Sequence, residues 1–469
     1  MAAPAVGNCS AGPLSVSDIE IMQSYARRVR SICLRNRTPV DLLAGIDPMI
    51  LGQLPILLDN KPLFPRLRKL EVVPYVHNHH VVCSSYLSIF FSPSLQDIVF
   101  GPKQSQKALY AHTIWWFFRN MDNMPPSSLQ VKSIEIGVSL TRHVITSLSK
   151  LTRLERLQLS PRHDTALNFS LVQELADLAS LQYLSLSVRA ESKKMPVRSM
   201  YTNPTFSALT TLCMYSDVNT TTGMFLLFDF PALETLNLYR RIADPPAPFQ
   251  PESWETFLVQ LPQWLPRLRA ISMNIADQEN TEDDEDEVEE DSPISLSWSC
   301  FTPLLLLSLT HLSIQLPMVD TLSYQDFVEL TSSSSRLESL KIKVRTVSLH
   351  RSVFTEIVTR LPCLKELCLS VDLYDVCVNW LSEIPRSTHK LERLIIPRMK
   401  DSRVNKPPLN LERMFVLAQY VDSLFPHLKF LSCQADCDFW KPDGTCNYFL
   451  HSLVRGLQYA RTMERARNQ

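Results

Sequence analysis

A six-residue pattern, L-x-x-L-x-L with other apolar residues allowed at the leucine positions, recurs along nearly the whole chain of 469 residues. LERLQL at 154–159 and LERLII at 391–396 are two nearly identical copies. The first copy begins at Val29 and the fourteenth at Leu428, so the mean spacing is about 31 residues. A recurrence of this length is the signature of a repeat architecture. The copies begin at Val29, Leu67, Leu95, Val131, Leu154, Leu181, Leu209, Leu233, Leu268, Leu309, Leu337, Leu364, Leu391 and Leu428.

The last four positions of each copy alternate apolar and polar, which predicts a short strand with one buried face. The interval to the next copy has room for one helix, and apolar residues there recur at three and four, as in Leu171, Leu175 and Leu178. One strand and one helix cannot bury their own apolar faces, but parallel stacking of such units makes a continuous core. The pattern therefore predicts an α/β solenoid. The helical segments are predicted at 170–179, 253–265, 324–331 and 352–360.

Proline marks the passage from helix to strand in several copies, because it cannot continue a helix and favours an extended predecessor. It stands two residues before the first apolar position at Pro65, Pro93, Pro231, Pro266, Pro362 and Pro426. Near the start of the chain, Ser17-x-x-Glu20 is a candidate capping box for the first helix.

These residues resemble the leucine-rich repeats of F-box/LRR proteins, in particular the divergent set of mushroom-type fungi. The recurring F/L-P-x-L-x-x-L, as in FPRLRKL and FPALETL, and the opening SYARRVRSICL at 24–34 carry the resemblance. It implies a leucine-rich-repeat solenoid, or horseshoe, with parallel strands on the concave side and helices on the convex side. We expect a tail at 1–14, about fourteen irregular repeats over 15–460, and a tail at 461–469.

The chain departs from that family in two ways. The standard repeat has Asn or Cys at its ninth place, where this chain has Arg162, Arg189, Asp217, Arg241, Arg345 and Asp372, so irregular turns are expected after the strands. The F-box, which binds a Skp-type adaptor of a cullin ubiquitin ligase, is not recognisable, and 28 residues before the first repeat are too few to hold it. Either a longer gene product supplies the F-box, or the chain is a stand-alone interaction scaffold.

Composition disfavours several other functions. Nine glycines, none in a G-x-G-x-x-G or P-loop arrangement, argue against a nucleotide-binding enzyme. No G-x-S-x-G or H-E-x-x-H motif is present, so we expect no catalytic residues and no cofactor. A formal net charge of −1 does not favour nucleic acid, and no apolar run is long enough to span a membrane. Eleven scattered cysteines and the absence of a signal peptide indicate a cytoplasmic or nuclear protein.

The polar positions of the strands are the expected binding site for a protein partner, because they face the concave side and solenoid proteins use that surface. Aromatic and amide side chains there suit protein recognition. The alternative is that they are ordinary solvated strand residues. The candidates are Tyr183, Tyr215, Asn237, Tyr239, Asn274, His311, Gln315, Lys341 and Lys343.

Three other segments have unusual compositions. IWWFF at 114–118 lies in a predicted helix, either buried against a neighbouring helix or exposed as a docking patch. The segment 278–293, which contains the acidic run at 279–291, is predicted to be a disordered loop; binding of a basic partner or calcium is the alternative. Histidines and cysteines crowd HNHHVVC and the C-terminal end, but their spacing does not favour a metal site.

Overall fold

The computed structural model describes most of the repeats and omits many of the segments between them. It describes residues 15–35, 54, 58, 62–73, 90–101, 107–122, 124, 129–137, 140–159, 167–189, 203–239, 251–274, 296–315, 322–343, 349–371, 387–396, 411–433 and 445–467. The predicted tail at 1–14, the acidic segment 278–293 and HNHHVVC lie outside the described residues.

The chain divides into two compact units, one of Met1–Leu209 with Leu227–Asp229 and one of Thr210–Leu226 with Phe230–Gln469. In the first unit, neighbouring strands pair in parallel and in chain order. Its strands are β1 Ser31–Arg35, β2 Lys69–Val73, β3 Asp97–Phe100, β4 Ser133–Ile136, β5 Arg156–Leu159 and β6 Tyr183–Ser187.

The second unit repeats this arrangement, again with parallel neighbours in chain order. Every described strand of either unit begins two residues after the first apolar position of a hexapeptide copy, so all fourteen predicted strands are confirmed. The fold is an α/β leucine-rich-repeat solenoid. The strands of the second unit are β7 Thr211–Tyr215, β8 Thr235–Tyr239, β9 Ala270–Asn274, β10 His311–Gln315, β11 Ser339–Lys343, β12 Glu366–Leu369, β13 Arg393–Ile396 and β14 Phe430–Cys433.

Helices fill many of the intervals between strands, and the four predicted helical segments are confirmed to within a few residues. A 3₁₀ helix, Trp298–Leu306, precedes β10. The final helix continues to Arg467, so the residues expected to form a tail from 461 begin inside it. The α-helices are α1 Val16–Ala26, α2 Lys107–Asp122, α3 Arg142–Ser149, α4 Phe169–Ala176, α5 Val218–Leu227, α6 Pro251–Trp264, α7 Tyr324–Ser333, α8 Ser352–Arg360, α9 Leu411–Leu424 and α10 Thr445–Arg467.

The capping box of α1 lies two residues earlier than the sequence predicted. Ser15 is the N-cap, and it exchanges hydrogen bonds with Asp18. Ser17 instead contacts the Ser15 hydroxyl at 2.8 Å, inside the first turn. The prediction of Ser17 and Glu20 was wrong because S-x-x-D at 15–18 satisfies the same requirement one half-turn earlier.

The proline positions form a repeated turn. The first leucine of the hexapeptide donates its N–H to the carbonyl three residues back, as Leu67 does to Phe64 at 3.0 Å and Leu428 to Phe425 at 3.1 Å. Proline therefore occupies the second position of a four-residue turn, where its fixed φ is already correct. Some repeats without proline make the same bond, as Leu154 does to Leu151 and Leu181 to Leu178.

The core consists of the alternating apolar positions of the strands and the apolar faces of the helices. Leu157 and Leu184 lie side by side on β5 and β6 and are fully buried, as are Val172 and Leu175 of α4. Burying one such leucine contributes roughly 1.5–3 kcal/mol, so the repeated leucines account for much of the cohesion within a unit.

One residue at the ninth place has a defined role. Asp217 follows β7 and caps α5, since its carboxylate accepts the Thr220 backbone N–H at 2.8 Å and the Thr220 hydroxyl at 2.7 Å. An aspartate at a helix N-cap satisfies an amide that the helix itself leaves unpaired. At the ninth place of this repeat, Asp217 thus begins helix α5, whereas in standard repeats the residue there belongs to a ladder of side chains.

Candidate protein-binding face

The sheet of the second unit has one face made of the polar strand positions. Side chains alternate along each strand, with buried apolar residues on one side and part-exposed residues on the other, as in the burial of β8, β9 and β10. We call the second side the outward face. The candidate residues of this unit lie on it in three rows that run across the strands: the first, third and fifth positions of each strand.

The fifth-position row contains five of the candidate residues in direct register. Neighbouring strands are about 4.8 Å apart, so the row is a line of side chains on the order of 20 Å long. It begins with aromatic rings, continues with amides and ends with a cation. The residues are Tyr215, Tyr239, Asn274, Gln315 and Lys343.

The two tyrosines form a stacked pair. Their ring centroids are 4.7 Å apart, and the ring planes differ by 14°. Each side chain is half-buried. Burial raises the pKa of both hydroxyls above the usual value, so Tyr215 and Tyr239 are neutral hydrogen-bonding groups on an apolar platform. Such a pair combines a large contact area with little rotamer entropy to lose on binding.

The third-position row lies directly beside the tyrosines. Asn237 of β8 donates from its amide nitrogen to the Cys213 sulfur of β7 at 3.3 Å, and Cys213 itself is buried. Two serines, Ser272 and Ser313, separate Asn237 from Lys341 along the row. The side chains there are smaller than those at the tyrosine end of the outward face.

The far end of the outward face carries charge. Glu366 of β12 lies between two cations, with Lys341 at 2.9 Å and Arg393 at 3.5 Å. Burial raises the pKa of Glu366, but the hydrogen bond and charge of Lys341 and the charge of Arg393 outweigh it, so the pKa lies below its ordinary value. The Arg393 guanidinium also stacks on the Phe430 ring, 4.9 Å from its centroid.

The remaining candidates are His311 and Tyr183. His311 lies in the first-position row of the second unit, is exposed, and contacts the Thr310 hydroxyl at 2.9 Å. Tyr183 belongs to the first unit, where Arg156 of the neighbouring strand stacks on its ring at 3.7 Å from the centroid. The structure therefore places eight of the nine candidates on the outward face of the second unit, and Tyr183 on the equivalent face of the first.

Sequence reasoning missed Glu366, Arg393 and Phe430. All three occupy the third position of the hexapeptide, and so begin their strands, as His311 does. The signal that would have found them is simply continuation of the same row through β12, β13 and β14. Their mutual contacts depend on side-chain rotamers, which the repeat pattern does not specify.

The aromatic segment IWWFF is largely part of the core. Ile114, Phe117 and Phe118 of α2 are buried. Trp115 is half-buried, and its ring lies 5.8 Å from that of His143 in α3 and 5.0 Å from the Arg119 guanidinium. The rings of Phe117 and Phe118 lie 5.2 and 6.3 Å from that of Phe100 in β3, so they pack on the sheet. Burial of the segment is confirmed for Ile114, Phe117 and Phe118, whereas the predicted contact with a neighbouring helix is made by Trp115.

Neither candidate metal cluster is assembled within the described part of the chain. Residues 77–83 and Cys437 lie outside it. His451 uses its Nδ1 to accept the backbone N–H of Leu431 at 3.2 Å, which is a structural bond between α10 and β14. Over the described ranges, no group of three His, Cys, Asp or Glu side chains is arranged to bind a metal ion.

Known proteins show only distant similarity to this chain. No protein-family model matches the sequence. No curated protein matches it either. Among solved structures, the chain is similar to an internalin (inlF) from Listeria monocytogenes, with 12% identity over 83% of this chain and 100% of that one, at a TM-score of 0.37. It is also similar to a Bacteroides fragilis protein, with 15% identity over 59% and 66% of the two chains, at a TM-score of 0.29. The fold assignment therefore rests on the strand pairing and burial in this chain itself.

A helix that spans a membrane must be both long and apolar. Among the described helices, none combines the two to the degree that crossing a bilayer requires.

Proposed function

We propose that the chain is a non-catalytic interaction solenoid that binds another protein through the outward face of its sheet. The observation that carries the proposal is the row from the stacked Tyr215 and Tyr239 to Lys343. An aromatic platform, then amides, then a cation offers apolar contact, hydrogen bonding and charge along one line. This combination suits a protein surface or peptide, and its extent exceeds that of a small metabolite.

We further propose that the protein bound there is the substrate of an F-box/LRR-type ubiquitin-ligase receptor, of which this chain is the recognition portion. The resemblance of the repeats to that family supports the proposal. The Skp-type adaptor and the cullin would join through an F-box supplied by a longer gene product. A cytoplasmic or nuclear location agrees with the thiols of Cys300, Cys363 and Cys368, which form no disulfide within the described part of the chain. A stand-alone interaction scaffold, unconnected to ubiquitination, is the second candidate.

A site-specific photo-crosslinker tests the binding face. A benzophenone amino acid replaces Asn274 in the middle of the fifth-position row, and in a control chain it replaces Val259, an exposed residue of α6 in the same unit. We expect irradiation in a native cell extract to attach one reproducible protein to the Asn274 chain only. Equal labelling from both positions, or none from Asn274, would refute the binding role of this face.

The ligase role requires a separate experiment. The full-length gene product, including any in-frame sequence upstream of Met1, is affinity-purified from cells and analysed for the Skp-type adaptor and cullin. Recovery of both supports a ubiquitin-ligase receptor. Recovery of a face-dependent partner without adaptor or cullin favours the stand-alone scaffold.

A further inference from the structure

The two ends of the outward face of the second unit differ in charge, and the difference points to one kind of partner. Between β7 and β10 the described side chains of this face carry no carboxylate and no amine. From β11 to β13 the face carries three cations, Lys341, Lys343 and Arg393, against the single carboxylate of Glu366. The excess of positive charge lies at one end, opposite the tyrosines.

Charges along the adjacent edge of the sheet do not cancel this excess. The residues just before β11 to β14 alternate in sign and pair with one another. Lys365 contacts Glu338 at 2.6 Å, and Lys429 contacts Glu392 at 2.8 Å. These edge pairs are neutral overall, so among the described residues the excess positive charge remains on the face itself.

Lys343 is the cation best placed for a partner. Lys341 and Arg393 already contact Glu366. Lys343 is exposed, and no carboxylate of the described chain lies within ion-pair distance of it. An ammonium with no carboxylate partner among the described residues suits one carboxylate of a partner. A phosphate dianion is better matched by the bidentate fork of arginine, and Arg393 is already engaged with Glu366 and Phe430.

The spacing of the row fixes the distance between the two anchor points. Tyr239 and Lys343 are three strands apart, with Asn274 and Gln315 between them. At about 4.8 Å per strand their backbones are roughly 14 Å apart. An extended peptide advances ~3.3 Å per residue, so four residues cover that distance. Residues i and i+4 of an extended segment also share one side, and can both face the sheet.

Resting on the proposed function, we infer that the partner segment is an extended peptide that crosses the strands and carries an aromatic or large apolar residue four positions from an Asp or Glu. The apolar side chain packs on the Tyr215–Tyr239 pair, and the carboxylate contacts Lys343. Asn274 and Gln315 hydrogen-bond the intervening peptide, since each amide can donate and accept. The partner is a protein with an exposed acidic peptide segment.

Peptide selection tests the motif directly. A displayed library of random nine-residue peptides is selected on the full chain, and binding of the enriched peptides is measured by fluorescence anisotropy. We expect enrichment of an aromatic or large apolar residue and an Asp or Glu, separated by four positions. Failure to enrich any peptide, or enrichment without the acid or without the fixed spacing, would overturn the inference.

Matched variants locate the two contacts. Lys343→Glu should weaken the selected peptide about fivefold or more, as expected for reversal of an exposed ion pair. Lys390→Glu, at an exposed lysine in the turn before β13, should not weaken it. Tyr239→Ala should weaken the peptide, whereas Tyr459→Ala, at an exposed tyrosine of α10, should not. If the two control substitutions weaken binding as strongly, the contacts lie elsewhere.

A charge swap separates recognition from a structural effect. The selected peptide with its acid changed to Lys should lose affinity for the native chain and regain it with Lys343→Glu. A peptide with phosphoserine in place of the acid should bind no more than a few times tighter than the parent; a gain above about tenfold would replace our proposal with a phosphopeptide partner. If the photo-crosslinker at Asn274 still captures a partner while these peptide results fail, the motif alone is wrong and the binding face remains.

Discussion

His389 donates its Nε2–H to the carbonyl oxygen of Leu361, one repeat earlier, at 2.7 Å. Its Nδ1 accepts the backbone N–H of Leu391 at 3.1 Å. Because a backbone N–H can only donate a hydrogen bond, Nδ1 must be unprotonated. The buried ring is therefore the neutral tautomer with its proton on Nε2. His389 occupies the turn position where six other repeats have proline, and its side chain accepts the leucine N–H that a backbone carbonyl accepts elsewhere.

The free energy of unfolding should therefore decrease in mild acid because of His389. Burial lowers the pKa of His389 below its usual value of 6.5, against the smaller effect of the Leu361 hydrogen bond. Below pH 6.5, His389 of the unfolded chain binds a proton while His389 of the folded chain does not. The free energy of unfolding therefore decreases as pH falls from 6.5 towards the folded pKa. Urea unfolding at pH 7.5 and 5.5 should show a larger loss for the native chain than for His389→Gln, whose amide preserves both bonds without titrating. Identical losses would contradict the assignment.

The turn before β7 offers a second prediction. The turns FSAL at 206–209 and FPAL at 230–233 differ only at their second position. In both turns the leucine N–H donates a hydrogen bond to the phenylalanine carbonyl oxygen. Ser207→Pro should stabilise the protein by about 0.4–1 kcal/mol, because proline restricts the unfolded chain at a position whose folded geometry it matches. Pro231→Ser should cost a similar amount. Chemical denaturation of both variants checks the pair, and destabilisation by Ser207→Pro would show that the two turns are not equivalent.

Much of the fold could be predicted from the sequence, because one physical requirement recurs in every repeat. Leu157 and Leu159 are two residues apart and both buried, while Gln158 between them is not. That alternation is enough to locate a strand and to assign its faces. The same reasoning located the candidate residues of the outward face, since the face of a strand residue follows from its position alone.

The details that sequence reasoning missed depend on competing local choices. Ser15 and Ser17 both precede an acidic residue by three positions, and the pattern does not decide which one caps α1. His389 as a substitute for proline needs a ring in one tautomer between two repeats. The Glu366 contacts require rotamers on three different strands. The last two features become visible only when side chains from distant parts of the chain are placed together.

The ion pair between α10 and α9 leads to a third prediction. The Arg461 guanidinium contacts the carboxylate of Asp422, which is buried. Burial raises the pKa of Asp422, and the charge and hydrogen bond of Arg461 counter that rise. Arg461→Ala leaves a buried carboxylate without its cation and should cost about 3–5 kcal/mol.

The control for this pair is the neutral amide. Asp422→Asn combined with Arg461→Ala should recover part of the lost stability, because an amide costs less to bury than an unpaired carboxylate. Thermal or urea unfolding of the single and double variants measures the difference. A loss below about 1 kcal/mol for Arg461→Ala would indicate a pair no stronger than one at the surface.

Adjacent residues of β11 should differ sharply in their effect on stability, because they lie on opposite faces of the sheet. Leu340 is fully buried between Leu312 and Leu367, so Leu340→Ala should cost about 2–5 kcal/mol through lost contacts and the cavity left behind. Lys341→Ala removes one partly exposed contact with Glu366 and should cost less than about 1 kcal/mol. Urea unfolding gives both values. Partner capture by the photo-crosslinker at Asn274 should respond in the opposite order, with the larger effect from Lys341→Ala, since only the lysine lies on the binding face. Equal destabilisation by the two substitutions would mean that β11 does not separate core from surface, and that the outward face is not available to a partner.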